Sequence, residues 1–255
     1  PTVKIKSLTP DVTQALINSA HEHDKKAVIH IAAYTQAKTM LDQGADGLVH
    51  SFIDRVADAE FIEQAKKQHT FIVPTLSVTG SLAGADEGKK LAHDAALQEY
   101  LTLSQSTALK ASFPPQWQNP KVLDNALASV KLFHDAGIPL LAGTDAGNPS
   151  TAHGVSLHGE LALLVKGGLS PAEALNSATA LPAKIFGLND RGRIAVGMRA
   201  DLILVNGDPT KNIAETRDIE FIWKNGYRLE RNKTGTPAAE AAAFPTDALV
   251  SDFEQ

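Results

Sequence analysis

His30, His50 and Asp145 are the side chains whose types and placement could carry chemistry in this chain. Each closes or directly follows a short apolar run: Ala27-Val-Ile-His30, Gly47-Leu-Val-His50, and Ile138-Pro-Leu-Leu-Ala142 leading into Gly143-Thr-Asp-Ala-Gly147. Neutral imidazoles and carboxylates suit zinc and related divalent ions. The sequence has no cysteine, so any metal must be held by histidine and carboxylate. One histidine at a strand end serves structure about as often as metal. Two on neighbouring strands, together with an aspartate in a glycine-flanked turn, point to one shared divalent-metal site.

The elements that must position these residues follow one grammar, an amphipathic stretch and then a short apolar run. Pro10 after Thr9, a candidate cap, opens a helix whose apolar positions Val12, Leu16, Ile17 and Ala20 keep the helical period. Residues 27–30, 47–50, 70–73 and 138–142 read as buried strands, and 34–42 and 58–68 as helices between them. A mostly helical excursion over 86–136, interrupted around 113–120, falls where an α/β barrel places a lid or specificity loop. Further helices are expected at 156–166, 171–177 and 180–186, the last capped by Thr179. Continuous apolar strands alternating with helices indicate a parallel sheet covered on both faces. Four strands are half of the eight that a closed barrel needs. The outer edge of the His30 strand should therefore be covered by another segment, chain or copy.

After Asn189 the texture changes to short β pieces separated by Gly, Asn and Asp turns, with Asn225-Gly226 as a hairpin signal. The expected division is 1–190 for half of a barrel, 191–230 for a small β module, and 231–255 for a tail without clear periodicity. A net charge of -5 and the lack of a Lys/Arg run argue against nucleic acid. The apolar runs are too short for a bilayer-spanning helix. The partner that remains is a small-molecule or peptide substrate, with assembly into a homo-oligomer left open. Cellular compartment is left open too.

A longer series of motifs carries a resemblance. Val28-Ile-His30, Gly44-Ala-Asp-Gly-Leu-Val-His50 and Gly143-Thr-Asp145-Ala-Gly are followed by Leu157-His-Gly-Glu-Leu-Ala-Leu-Leu-Val165, Gly168-Leu-Ser-Pro-Ala-Glu-Ala-Leu175 and Ser177-Ala-Thr-Ala-Leu-Pro-Ala183. Then come Gly192-Arg-Ile-Ala-Val-Gly-Met-Arg-Ala-Asp-Leu-Ile-Leu-Val205 and Gly207-Asp-Pro209. In this order they resemble the amidohydrolase superfamily, in its imidazolonepropionase-like and Xaa-Pro dipeptidase-like branch. The resemblance implies strands five to eight of a (β/α)8 metal-dependent hydrolase barrel, with a small β-sandwich module beside it. It implies a binuclear divalent centre, zinc by preference, with His30 and His50 on one ion. Asp145 would serve the other ion and carry a proton from the attacking water to the leaving group. The family's first strand supplies a His-x-His pair, and many members add a bridging carboxylated lysine. His21-Glu-His23 sits at the end of a helix, where residues two apart diverge, and is rejected. Lys4 and Lys6 are the available candidates for the bridging lysine. The strands that would bear the missing ligands precede Pro1 or lie on another chain.

Tyr34, His153 and His158 are candidates to contact substrate, and Glu160 to orient one of these histidines or to favour a helix start. His69, His93 and His134 fall on polar stretches and carry no expectation. The expected reaction is hydrolysis of a C–N amide bond in a dipeptide-like or N-acyl substrate. Lactone or phosphoester hydrolysis at the same metal is an alternative, and so is a non-catalytic scaffold that lacks the remaining ligands.

Overall fold

The computed structural model describes residues 8–234. Helix α1 (Pro10–Glu22) starts at its proline, although Thr9 makes no side-chain cap. Strand β1 (Val28–His30), helix α2 (Tyr34–Asp42), strand β2 (Gly47–Val49), helix α3 (Ala59–Lys67) and strand β3 (Phe71–Val73) then alternate along the chain. The strands pair in parallel in the order β1-β2-β3, with Val28 level with Gly47 and Gly47 level with Phe71. Asp58 caps α3 by accepting the Phe61 N–H at 3.0 Å. Gly47 is required by packing, because a Cβ there would enter the Phe71 ring.

The expected fourth strand shortens to a bridge. Ile72 donates to the Pro139 carbonyl and accepts from Leu141 N–H, both at 2.9 Å, so that Ile72 and Leu140 pair in parallel. Pro139 has no N–H to extend a ladder. The outer edge of β1 meets no other strand among the described residues.

Helix α4 (Leu76–Leu82) follows β3 at once, ahead of the excursion expected from residue 86. Its sequence, Leu-Ser-Val-Thr-Gly-Ser-Leu, resembles a turn more than a helix, but Leu76 to Ser81 are all buried. Tertiary burial therefore overrides weak propensity here. The excursion continues as α5 (Glu87–Ala92), α6 (Leu103–Lys110) and α7 (Lys121–Asp135). Thr102 and Gln105 form a capping box on α6. Next come α8 (Ser156–Lys166), α9 (Pro171–Ser177) and α10 (Ala180–Ile185). Ser170 and Glu173 form a capping box on α9. Thr179 does not cap α10, since its hydroxyl donates to the Leu175 carbonyl instead.

The main core joins sheet and helices through Ile17, Leu41, Leu48, Ile72 and Leu164. Phe52, Phe61 and Phe133 are stacked edge-on or tilted, with centroids 5.0 to 6.2 Å apart. Burying each such ring is worth about 1.5–3 kcal/mol.

Beyond residue 200, β4 (Leu202–Val205), β5 (Ile219–Lys224) and β6 (Tyr227–Leu229) form one antiparallel sheet. Asn225 and Gly226, both at positive φ, make the expected two-residue hairpin turn. Among the described residues this module is a single three-stranded sheet, one layer of the expected β-sandwich. Ile203, Leu204 and Tyr227 remain exposed on it, so no second layer of these residues covers them. Of the tail, Arg231 stacks over the Tyr100 ring and Thr234 donates to the Glu99 carbonyl.

Candidate active site

Because the three parallel strands are in register, their C-terminal ends lie level, and the chemistry-bearing residues sit on them or just beyond. His30 ends β1 and His50 follows β2. The two rings meet edge to face with centroids 4.6 Å apart. The loop after the Leu140 bridge carries Asp145, whose Oδ2 stands 4.0 Å from His50 Nε2. That loop lies close against β3, since a Cβ on Gly143 would stand 2.5 Å from Val73 Cγ1. Asn148 Nδ2 donates to Asp145 Oδ2 at 2.8 Å and to its carbonyl at 2.9 Å, which fixes the carboxylate.

Backbone conformation turns these side chains out of the strands. His50, Thr75 and Asp145 all have positive φ, at 72°, 49° and 50°. For residues other than glycine this left-handed region is disfavoured by roughly 1–2 kcal/mol each. His50 N–H still donates to the Val73 carbonyl at 3.0 Å, so the strand pairing continues while the side chain turns.

Sequence reasoning missed Thr75. Its Oγ1 lies 2.6 Å from His50 Nδ1, and the same hydroxyl donates to the Pro74 carbonyl at 2.8 Å. A hydroxyl has one proton, so at His50 it accepts. That arrangement fits a His50 with its proton on Nδ1 and a bare Nε2 toward Asp145. Burial first, then the neighbouring His30, hold the His50 pKa below the ordinary histidine value, against an opposing pull from Asp145. Both effects favour the neutral ring, the form that binds metal.

The donor set of two imidazoles and a carboxylate suits a divalent ion. Two donors on one tetrahedral ion, with bonds near 2.1 Å, stand about 3.4 Å apart, and the 4.0 Å between His50 and Asp145 exceeds that. Among the described residues no group of three or more His, Cys, Asp or Glu is arranged to hold an ion together. The residues present fit a divalent metal as part of a ligand set, not as a complete one.

The remaining candidates lie elsewhere. The Tyr34 hydroxyl donates to Asp58 at 2.7 Å and its ring packs on Phe52 and Phe61, with Arg55 stacked over it. His153 is exposed, and its carbonyl accepts from Gln105 Nε2. His158 is partly buried and donates from Nδ1 to Thr216 Oγ1 at 2.9 Å, since that hydroxyl spends its proton on the Ile213 carbonyl. Burial, reinforced by Arg217, lowers the His158 pKa to about 4. Glu160 belongs neither to these histidines nor to the start of its own helix. It is fully buried and accepts the N–H groups of Leu76 and Ser77 at 2.9 and 2.7 Å. Burial raises its pKa to about 7, with those N–H groups pulling the other way. His21 is exposed and pairs with Asp46 at 2.9 Å, and His23 caps back onto the Ser19 carbonyl. His134 pairs with Glu173 at 3.2 Å. Lys4 and Lys6 lie outside the described residues.

Residues 6–228 match the model of the amidohydrolase family. The chain belongs to that family. The imidazolonepropionase of Deinococcus deserti is 36% identical over 99 residues, a match that covers 37% of this chain and 25% of that enzyme. An adenine deaminase of Lysinibacillus sphaericus is 29% identical over 90 residues, covering 35% of this chain and 14% of the relative. Among solved structures, a Xaa-Pro dipeptidase with bound methionine in its active site superposes with a TM-score of 0.66 at 22% identity. That superposition covers 88% of this chain and 49% of the dipeptidase. Ochratoxinase of A. niger superposes with a TM-score of 0.61 at 21% identity, over 87% of this chain and 45% of that one. These structures establish an α/β fold of the amidohydrolase type. This chain spans about half of each.

Proposed function

We propose that this chain supplies the C-terminal half, strands five to eight, of a (β/α)8 amidohydrolase barrel that hydrolyses a C–N amide bond with a divalent metal, zinc by preference. The substrate class is a dipeptide-like or N-acyl compound. One observation carries this reading. In a chain of this family, two imidazoles, that of His50 held toward its neutral form by burial, and a carboxylate meet at the C-terminal ends of parallel strands, where α/β barrels do their chemistry.

A divalent ion bound there would lower the pKa of its water to about 7 and polarise the scissile carbonyl. His30 and His50 would hold it through ring nitrogens. Asp145, with its side chain 43% exposed and its carboxylate oriented by Asn148, takes the proton of the attacking water and delivers it to the departing amine nitrogen. His30 and His50 would serve one ion and Asp145 a second. The ligands that complete the set come from the other half of the barrel, along the open edge of β1.

The test compares this chain with a protein that also contains the N-terminal half of the barrel. Zinc per chain is measured by elemental analysis, and hydrolysis with a panel of dipeptides and N-acyl amino acids. The longer protein should bind zinc stoichiometrically and turn over an amide. This chain alone should bind zinc weakly and hydrolyse negligibly. Full activity from residues 1–255 alone would overturn the half-barrel reading, and a zinc-free but fully active longer protein would overturn the metal.

A further inference from the structure

We propose that Thr75 and Glu160 are positioning residues that together lock His50 in the tautomer with a bare Nε2 facing the site. The consequence for metal binding rests on the metal reading of His50 given above. The tautomer itself rests on geometry alone.

Thr75 stands at the N-cap of α4, where a threonine hydroxyl ordinarily accepts an N–H from the first turn of its own helix. Here it makes no such cap. The N–H groups of Leu76 and Ser77 are taken by Glu160, which reaches them from α8, 84 and 83 residues away in sequence. With those donors satisfied from outside, the Thr75 hydroxyl is released. It receives His50 Nδ1 and gives its own proton to Pro74.

Glu160 also holds the backbone that aims the hydroxyl. Thr75 is β-branched and sits at φ 49°, ψ 52°, a conformation that persists only where the surroundings impose it. Both Glu160 oxygens grip the two residues that follow. Thr75 is 2% exposed and Glu160 0%, so water does not compete for either. A carboxylate with no charged partner is an expensive group to bury. The helix start that it satisfies, and the histidine which that helix start frees, account for its presence.

The experiment uses the 255-residue chain, labelled with 15N and free of metal. Long-range 1H–15N spectra read the protonation of each imidazole nitrogen, and a His50→Gln variant identifies the His50 signals. In the wild type, His50 should carry its proton on Nδ1. In Thr75→Val, nearly the same shape without the acceptor, the Nε2–H form should appear. In Thr75→Ser, which restores the hydroxyl, the wild-type pattern should return. In Glu160→Gln the amide group points an N–H donor at the Leu76 or Ser77 N–H, and a mixture of tautomers should result. If Glu160→Gln does not fold, the Thr75 pair decides.

Zinc affinity, measured by competition with a chromophoric chelator, should fall about 10- to 100-fold in Thr75→Val and return to within about threefold of wild type in Thr75→Ser. A wild-type His50 protonated on Nε2, or a Thr75→Val tautomer identical to wild type, overturns the proposal. The expected tautomers with a zinc affinity that is the same in Thr75→Val as in the wild type support the Thr75–Glu160 arrangement and reject His50 as a metal ligand instead.

Discussion

His158 and Glu160, two residues apart on α8, should make opposite contributions to the pH dependence of stability that nearly cancel. Burial disfavours the charged form of both, which lowers His158 to about 4 and raises Glu160 to about 7. For His158 the folded value lies below the ordinary 6.5, so its stability is present above pH 6.5 and is lost as pH falls toward 4. Moving from about pH 7.5 to about pH 5 removes about 2 kcal/mol. Solvent at its partly exposed edge makes that an upper figure. For Glu160 the folded value lies above the ordinary 4.5, so stability is present below pH 4.5 and is lost as pH rises through about 7. The same move from about pH 7.5 to about pH 5 therefore returns about 2 kcal/mol. Replacing either residue should unmask the other. His158→Asn keeps a donor for Thr216 but cannot charge. Relative to wild type it should gain about 2 kcal/mol on acidification, and Glu160→Gln should lose about as much. Urea unfolding of all three proteins at the two pH values gives these differences directly. If both variants track the wild-type difference to within about 0.5 kcal/mol, the opposed-titration reasoning fails.

In the longer protein of the proposed reading, Asp145→Asn should abolish turnover more thoroughly than it lowers zinc content, because it would remove a proton carrier as well as a ligand. The check is kcat set beside metal stoichiometry, and normal turnover would overturn the role. Phe61→Ala, at the centre of the aromatic cluster, should destabilise the chain by about 3–5 kcal/mol in urea unfolding. Gly143→Ala should push the Asp145 loop away from Val73 and weaken zinc binding with little change in secondary structure, read by chelator competition and circular dichroism. Ser170→Ala should cost about 1 kcal/mol of unfolding free energy by removing the α9 capping box.

The residues at strand ends were legible in the sequence because parallel strands are apolar along their length and stop at a polar residue. His30 and His50 announce themselves that way, and the glycines around Asp145 mark a turn. The hairpin at Asn225-Gly226 was legible for a similarly local reason. Thr75 was not, and Glu160 was singled out without its partners, because their contact spans 83 or 84 residues that no periodicity records. Helix α4 was missed because its two serines, threonine and glycine argue locally for a turn, and only burial on nearly every side makes it a helix. The β pieces after Asn189 were legible from their Gly, Asn and Asp turns, but their layering was not. A count of strands does not say whether they stack in two layers or lie in one.

The left-handed backbone at His50 and Thr75 has a consequence for how this sequence changes over generations. A lineage selected only to fold could relieve the left-handed backbone at either position by mutating it to glycine or asparagine. A lineage selected for chemistry cannot take that path, because the conformation and the side chain are wanted together. Relaxed selection on a gene of this kind should therefore register first at these two codons, before the hydrophobic core begins to drift.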